Sequence, residues 1–142
     1  MSSVEFFFED ITTIEINRQL ISSEIEYLIS NENKRTGDLS LIFCSDEYLL
    51  DINKQYLKHD YYTDIVTFNY VSGDLISGDL FISIDRVSKN ATKFKVNFTE
   101  ELYRVIFHGV LHLVGYNDIS NSEKKVMRNK ENEYLERIVF GN

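Results

Sequence analysis

Residues 108–118, HGVLHLVGYND, set His108 and His112 four apart in an apolar run that ends at Gly-Tyr-Asn-Asp. On a helix, residues i and i+4 stand one above the other on the same face. Two imidazoles so placed can hold one tetrahedral cation. Gly115 breaks the helix, and the chain can then fold back to offer the Asp118 carboxylate to the same ion. The bland alternative is a pair of half-buried, hydrogen-bonded histidines with Asp118 capping the next helix. A bare His-x3-His would favour that alternative; the added Gly115 and Asp118 favour a metal site. Two of the chain's three histidines lie in this stretch.

Three protein ligands leave one position open, the arrangement of a catalytic rather than a structural zinc. The spacing is similar to the metalloprotease pattern HExxHxxGxx(H/D), whose Glu is the general base. Here that position is Gly109, which can neither take a proton nor orient a water. An open zinc site lowers the pKa of water to about 7 and polarises a coordinated oxygen. Phosphodiester hydrolysis uses both services, with cations to hold the phosphate. Arg104, one turn before His108, and His59, in YLKHDYYTD, are the phosphate-side candidates. The plainer roles are an ion pair with Glu100 or Glu101 for Arg104 and a loop position for His59.

The rest of the chain must position these groups. Residues 4–8 read as a strand, 14–29 keep helical apolar spacing, and 31–37 are loop-like. A strand over 39–44 precedes a helix that starts near Ser45 and runs through YLLDINKQYL. DIVTFNY (64–70) alternates as a strand, VSGDLISG reads as a turn region, and DLFISI (79–84) is the fourth strand. Helices are expected over 85–95, over 99–114 with Thr99 as cap, and over 122–138 behind a Ser120–Glu123 capping box. In the metal-bearing helix Leu102, Val105, Ile106, Val110 and Leu113 form the buried stripe. The order β-α-β-α-β-β-α-α-α predicts a single domain, residues 1–142, of α/β (α+β) class. A small mixed four-stranded sheet is covered by about five helices.

Composition bounds the function. The net charge of −8 weighs against a general nucleic-acid coat protein, and no DNA partner is expected. No stretch approaches the length of a membrane span, and no basic leader precedes the first strand. Cys44 is the single cysteine and is expected to be buried and inert, as suits a reducing cytoplasm. One basic stripe stands out on helix 85–95: Arg86, Lys89 and Lys93, opposite a core stripe of Val87, Ala91 and Phe94. It is either a solvated face or a track for an RNA backbone. Tyr61 and Tyr62 could stack on bases.

The motifs together resemble the YbeY family of bacterial endoribonucleases. That family's HGxLHLxGYDH stands here as HGVLHLVGYND. Its N-x-x-Y-R…T-(D/N)-V-L-S-F block is similar to Asn53-Lys54-Gln55-Tyr56 with Thr63-Asp64-Ile65-Val66-Thr67-Phe68, and its G-D-I-x-I-S strand to Gly78–Ser83. The resemblance implies a metal-dependent endoribonuclease that prefers single strands and acts in small-subunit rRNA maturation and ribosome quality control. Precursor rRNA, the small ribosomal subunit, and ribosomal or assembly proteins are the implied partners. The family's three metal-binding histidines map onto His108, His112 and Asp118, so one zinc per chain is expected. The carboxylate in place of the third histidine loosens the preference for zinc over other divalent metals. Asn117 replaces the family's Asp, and Leu57 stands where the family has an arginine. These departures keep two alternatives open: a non-catalytic ribosome-assembly factor with a structural metal and, behind it, a metalloprotease-like hydrolase.

Overall fold

The computed structural model describes residues 3–140. Its elements are β1 (Ser3–Phe8), α1 (Arg18–Asn31), β2 (Arg35–Cys44), α2 (Asp46–Leu57), β3 (Ile65–Asn69), β4 (Leu75–Ser83), α3 (Ile84–Phe94), α4 (Phe98–Val114) and α5 (Asn121–Leu135). They form one α/β domain around a four-stranded sheet of order β1-β2-β4-β3. The pairs β1/β2 and β2/β4 are parallel and β3/β4 is antiparallel, so the sheet is mixed, as expected.

The near-continuous apolar run LSLIFC makes β2 an interior strand, covered on both faces. On one face Leu39, Leu41 and Phe43 join Ile76, Leu80 and Ile82 of β4 under α1, α4 and α5. On the other, Cys44, Val66 and Phe81 pack with Leu49 of α2. Burial and nearby acids push the Cys44 thiol up to about 12, which makes it the inert core residue expected.

Helix α4 is the pillar. Leu102, Val105, Ile106, Val110 and Leu113 are buried, as the stripe requires, and so are Phe107 and Leu111. Gly109 lets it lie against the sheet: a Cβ there would come within 2.5 Å of Ile65 Cδ1 and 2.8 Å of Leu80 Cδ2. A mid-helix glycine costs about 1 kcal/mol against alanine, and close helix–sheet contact is the return.

Several expected boundaries move. Helix α1 begins at Arg18, because Asn17 Oδ1 accepts the Leu20 amide at 3.0 Å and caps it there. Asn97, not Thr99, caps α4, accepting the Glu100 amide at 2.8 Å. The turn region contracts to residues 71–74, with Gly73 at φ +61°, and Leu75–Gly78 belong to β4. Gly78 suits that strand, since a Cβ would stand 2.5 Å from the Phe68 carbonyl oxygen. β2 starts at Arg35, where an Arg35–Asp74 ion pair of 2.9 Å ties it to the turn. Helix α5 ends at Leu135 and carries the Ser120–Glu123 capping box. Phe94 leaves the core stripe of α3: Val87 and Ala91 are buried, but Phe94 at the helix end is 50% exposed.

Candidate metal centre

Helix α4 ends at Gly115, whose φ of +127° is accessible to glycine at little cost. The Gly115 and Tyr116 amides both donate to the Leu111 carbonyl at 3.0 Å, closing the last turn. The chain then doubles back and brings Asp118 over the two histidines. His108 Nε2 and His112 Nε2 are 3.0 Å apart, and Asp118 Oδ2 lies 3.2 and 3.4 Å from them. The edge of a tetrahedron with bonds of about 2.1 Å is about 3.4 Å. The three atoms already stand at nearly that spacing.

The other ring nitrogens are held in a way that suits a cation there. His108 Nδ1 lies 2.6 Å from Glu131 Oε2, and His112 Nδ1 lies 2.9 Å from the Tyr116 carbonyl oxygen. Both partners are acceptors, so each Nδ1 carries the proton and each Nε2 presents a lone pair. In that neutral tautomer two lone pairs and a carboxylate converge on one point. Ligating histidines held from behind by a carboxylate and a carbonyl are the usual outer support of a metal site. Burial pulls the His108 pKa down, but the bond and charge of Glu131, with the charges of Asp118 and Asp64, outweigh it and raise it. The same field favours any cation held between the rings.

Glu131 is buried on α5, and the sequence alone did not single it out. Burial pushes its carboxyl up, yet bonds from His108 and Arg104 prevail and hold it below the usual range. Arg104 thus pairs with Glu131 at 2.9 Å, not with Glu100 or Glu101, and also donates to Asn132 Oδ1 at 2.9 Å. Its position on α4 points it across to α5.

A second carboxylate secures the other histidine at one remove. Glu32, just past α1, accepts from Tyr116 Oη at 2.5 Å, from Lys130 at 3.1 Å and from the Tyr134 hydroxyl. This knot ties α1, α5 and the loop after α4 together, and it holds the Tyr116 carbonyl that orients His112.

Two cavities meet at the centre. One, of about 310 Å³, is lined by Leu57, Thr63, Asp64 and Thr67 with His108, His112 and Asp118. The other, of about 350 Å³, runs from His108 and Asp118 past Arg104, Arg128 and Lys124 toward Phe94 and Glu101. Asp64 lines both, and burial raises its carboxyl pKa. Its place in the Thr-Asp-Ile-Val segment was a signal that pointed to it. His59 stands apart, its ring stacked on Tyr61 with Nδ1 3.0 Å from the Tyr61 hydroxyl, and it lines neither cavity. On α3, Arg86 and Lys89 reach Asp46 at 2.9 and 3.5 Å, and Lys93 lies over the Phe94 ring. Tyr61 and Tyr62 are exposed, with Tyr62 Oη donating to Glu47 at 2.5 Å.

Comparison with known proteins gives a consistent picture. The family model described as "Endoribonuclease YbeY" matches residues 7–139. The chain is 48% identical over 133 residues to Endoribonuclease YbeY of Parabacteroides distasonis, covering 94% of each chain. It is 53% identical over 123 residues to the protein of the same name from Azobacteroides pseudotrichonymphae, covering 87% of this chain and 88% of the relative. A solution structure of a Thermotoga maritima protein superposes with a TM-score of 0.64 at 25% identity, over 94% of this chain and 87% of that one.

Proposed function

The chain belongs to the YbeY endoribonuclease family, and from that premise we propose that it is a metal-dependent endoribonuclease that cleaves single-stranded RNA at the His108/His112/Asp118 centre. The observation that carries this reading is the convergence of two imidazole nitrogens and a carboxylate oxygen within 3.4 Å of one another.

His108, His112 and Asp118 would hold one divalent ion and leave a position open. Such an ion supplies Lewis-acid polarisation of a phosphoryl oxygen and lowers the pKa of a coordinated water. We assign zinc as the first choice from the two imidazoles, with the Asp118 oxygen admitting harder divalent metals. Glu131 and the Tyr116 carbonyl keep both rings in the metal-binding tautomer. Asp64 faces the centre from both cavities and is placed to take a proton as the phosphodiester is attacked. Phosphate charge is met by Arg128 and Lys124, with Arg104 behind them, on the wall of the larger cavity. On the α3 stripe Lys93 is exposed, whereas Arg86 and Lys89 both pair with Asp46.

The substrate we assign is precursor rRNA of the small subunit, met in the cytoplasm with ribosomal or assembly proteins in attendance. Among the described residues no helix is long and apolar enough to cross a membrane. A proteolytic role finds no support: a base at position 109 would collide with Ile65 and Leu80. One observation favours a second reading, a non-catalytic assembly factor. Leu57, which occupies the position of the family's arginine, lines the smaller cavity and brings no charge to it.

The deciding experiment measures metal per chain by elemental mass spectrometry on untagged wild type and Asp118→Ala, beside cleavage of single-stranded RNA. Near one equivalent in wild type, much reduced in the variant, with RNA cleavage that disappears in His108→Ala, is the expected result. Wild type that takes up no zinc, manganese or nickel overturns the catalytic reading. Metal binding without RNA cleavage selects the assembly factor.

A further inference from the structure

We propose that the larger cavity, between α3, α4 and α5, is a guanine-selective nucleoside subsite in which Glu101 reads the base edge and Phe94 stacks on the base. Arg128 and Lys124 hold the adjoining phosphate. The proposal rests on the ribonuclease reading, because it places this nucleoside beside the phosphate at the metal centre.

Glu101 lies seven residues before His108 on α4, two helical turns or about 10.5 Å along the axis. The span from a backbone phosphate across its ribose to the far edge of a purine is of the same order. Glu101 is only 4% exposed and lines the cavity. Its carboxylate makes no hydrogen bond or ion pair among the described residues. Arg104, one turn away, directs its donors to Glu131 and Asn132 instead. A carboxylate removed from water without donors is costly, and burial pushes this one up to about 7. A ligand that brings donors into the cavity relieves that cost.

Guanine alone among the four bases offers two adjacent donors on its Watson–Crick edge, N1–H and the N2 amino group. They match the two oxygens of a carboxylate. Adenine and cytosine offer one amino group each, and uracil one imino group. Asn90 also lines the cavity, and its amide can donate to guanine O6. Phe94 is half exposed at the end of α3, where an apolar ring serves the core little and a base well. Lys93 Nζ lies 5.6 Å from its centroid. At the phosphate end, Lys124 makes no ion pair among the described residues. Arg128 is held only loosely, 3.8 Å from Glu131 with its side chain 55% exposed. The volume of about 350 Å³ falls within the range of small-ligand pockets.

The test titrates 5′-GMP, 5′-IMP and 5′-AMP into the zinc-loaded full chain by calorimetry at pH 8. IMP keeps every guanine atom except the N2 amino group. Wild type is expected to bind GMP about 10-fold tighter than IMP or AMP, in line with one bidentate contact. Glu101→Gln abolishes the preference, and Phe94→Ala weakens all three nucleotides alike. Equal binding of GMP and IMP by wild type, or an undiminished preference in Glu101→Gln, overturns the proposal. RNA cleavage by the same preparation separates the two readings. Cleavage without nucleotide preference sinks the subsite alone, whereas preference without cleavage upholds the pocket and sinks the ribonuclease reading.

Discussion

Two clusters in this protein are built around a buried carboxylate facing an arginine at 2.9 Å, and they behave as opposites. Asp46, at the start of α2, accepts from Ser83 Oγ at 2.6 Å, from Arg86 at 2.9 Å and from Lys89 at 3.5 Å. Every acceptor meets a donor, and the result is a clamp joining α2, the end of β4 and α3. Glu131 uses one oxygen for Arg104 and the other for His108. That second bond fixes a tautomer and leaves a lone pair unmet at the far side of the ring. A carboxylate whose oxygens are all met by donors makes structure, even though Arg86 Nε stays buried without a partner among the described residues. Acceptors aimed at one point make a candidate binding site.

The comparison is sharpest where one carboxylate is removed and the other kept. Asp46→Ala leaves Arg86 and Lys89 without their anion and should cost about 3 kcal/mol in a denaturant melt, with metal content unchanged. A variant that lost metal as well would show the two clusters to be one. Glu131→Gln keeps an acceptor for His108 but withdraws its charge. Metal affinity measured by competition with a chelator should fall about 10–100-fold, while the fold survives.

The smallest effect is one of pH, and its sign separates a satisfied carboxylate from an open one. Burial raises the Asp46 carboxyl, but bonds from Ser83 and Arg86 outweigh it, so its folded pKa lies below the ordinary value. Its stabilisation is therefore complete above the unfolded pKa and is lost as pH falls through the folded one. Glu101, buried without donors, runs the other way, up to about 7 from 4.5. The folded state then holds the proton longer than the unfolded chain, and stability falls as pH rises between those values. In thermal melts of metal-free protein, Glu101→Gln should be more stable than wild type by about 1–2 kcal/mol at pH 8. The two should be equal near pH 4. A gain that persists in acid would mean packing, not charge, is responsible.

Local pattern accounts for much of what was readable in advance. The helical spacing of α4 and the His-x3-His-x5-Asp run depend on residues close in sequence, so candidate ligands and helix were legible together. The capping box at Ser120–Glu123 is local too. The cap of α4 was misplaced because Thr99 and Asn97 are both competent, and only the path of the chain into the helix selects Asn97. Phe94 read as core because periodicity does not say where the neighbouring helices end. Leu75–Gly78 read as turn because two glycines outweighed pairing partners from two other strands.

The sequence by itself determined the element order, the three candidate ligands, the inert Cys44 and the absence of a proteolytic base at Gly109. Each follows from residue type and near-neighbour spacing. Only the tertiary structure decided that Glu131, 23 residues beyond His108, supports its ring. It alone decided that Glu32, 84 residues before Tyr116, anchors the loop orienting His112, and that Glu101 lines the larger cavity. Such contacts form between side chains distant along the chain. What brings them together is burial of the apolar stripes of α1, α4 and α5 on one sheet face, and those stripes carry no mark of which polar groups will meet.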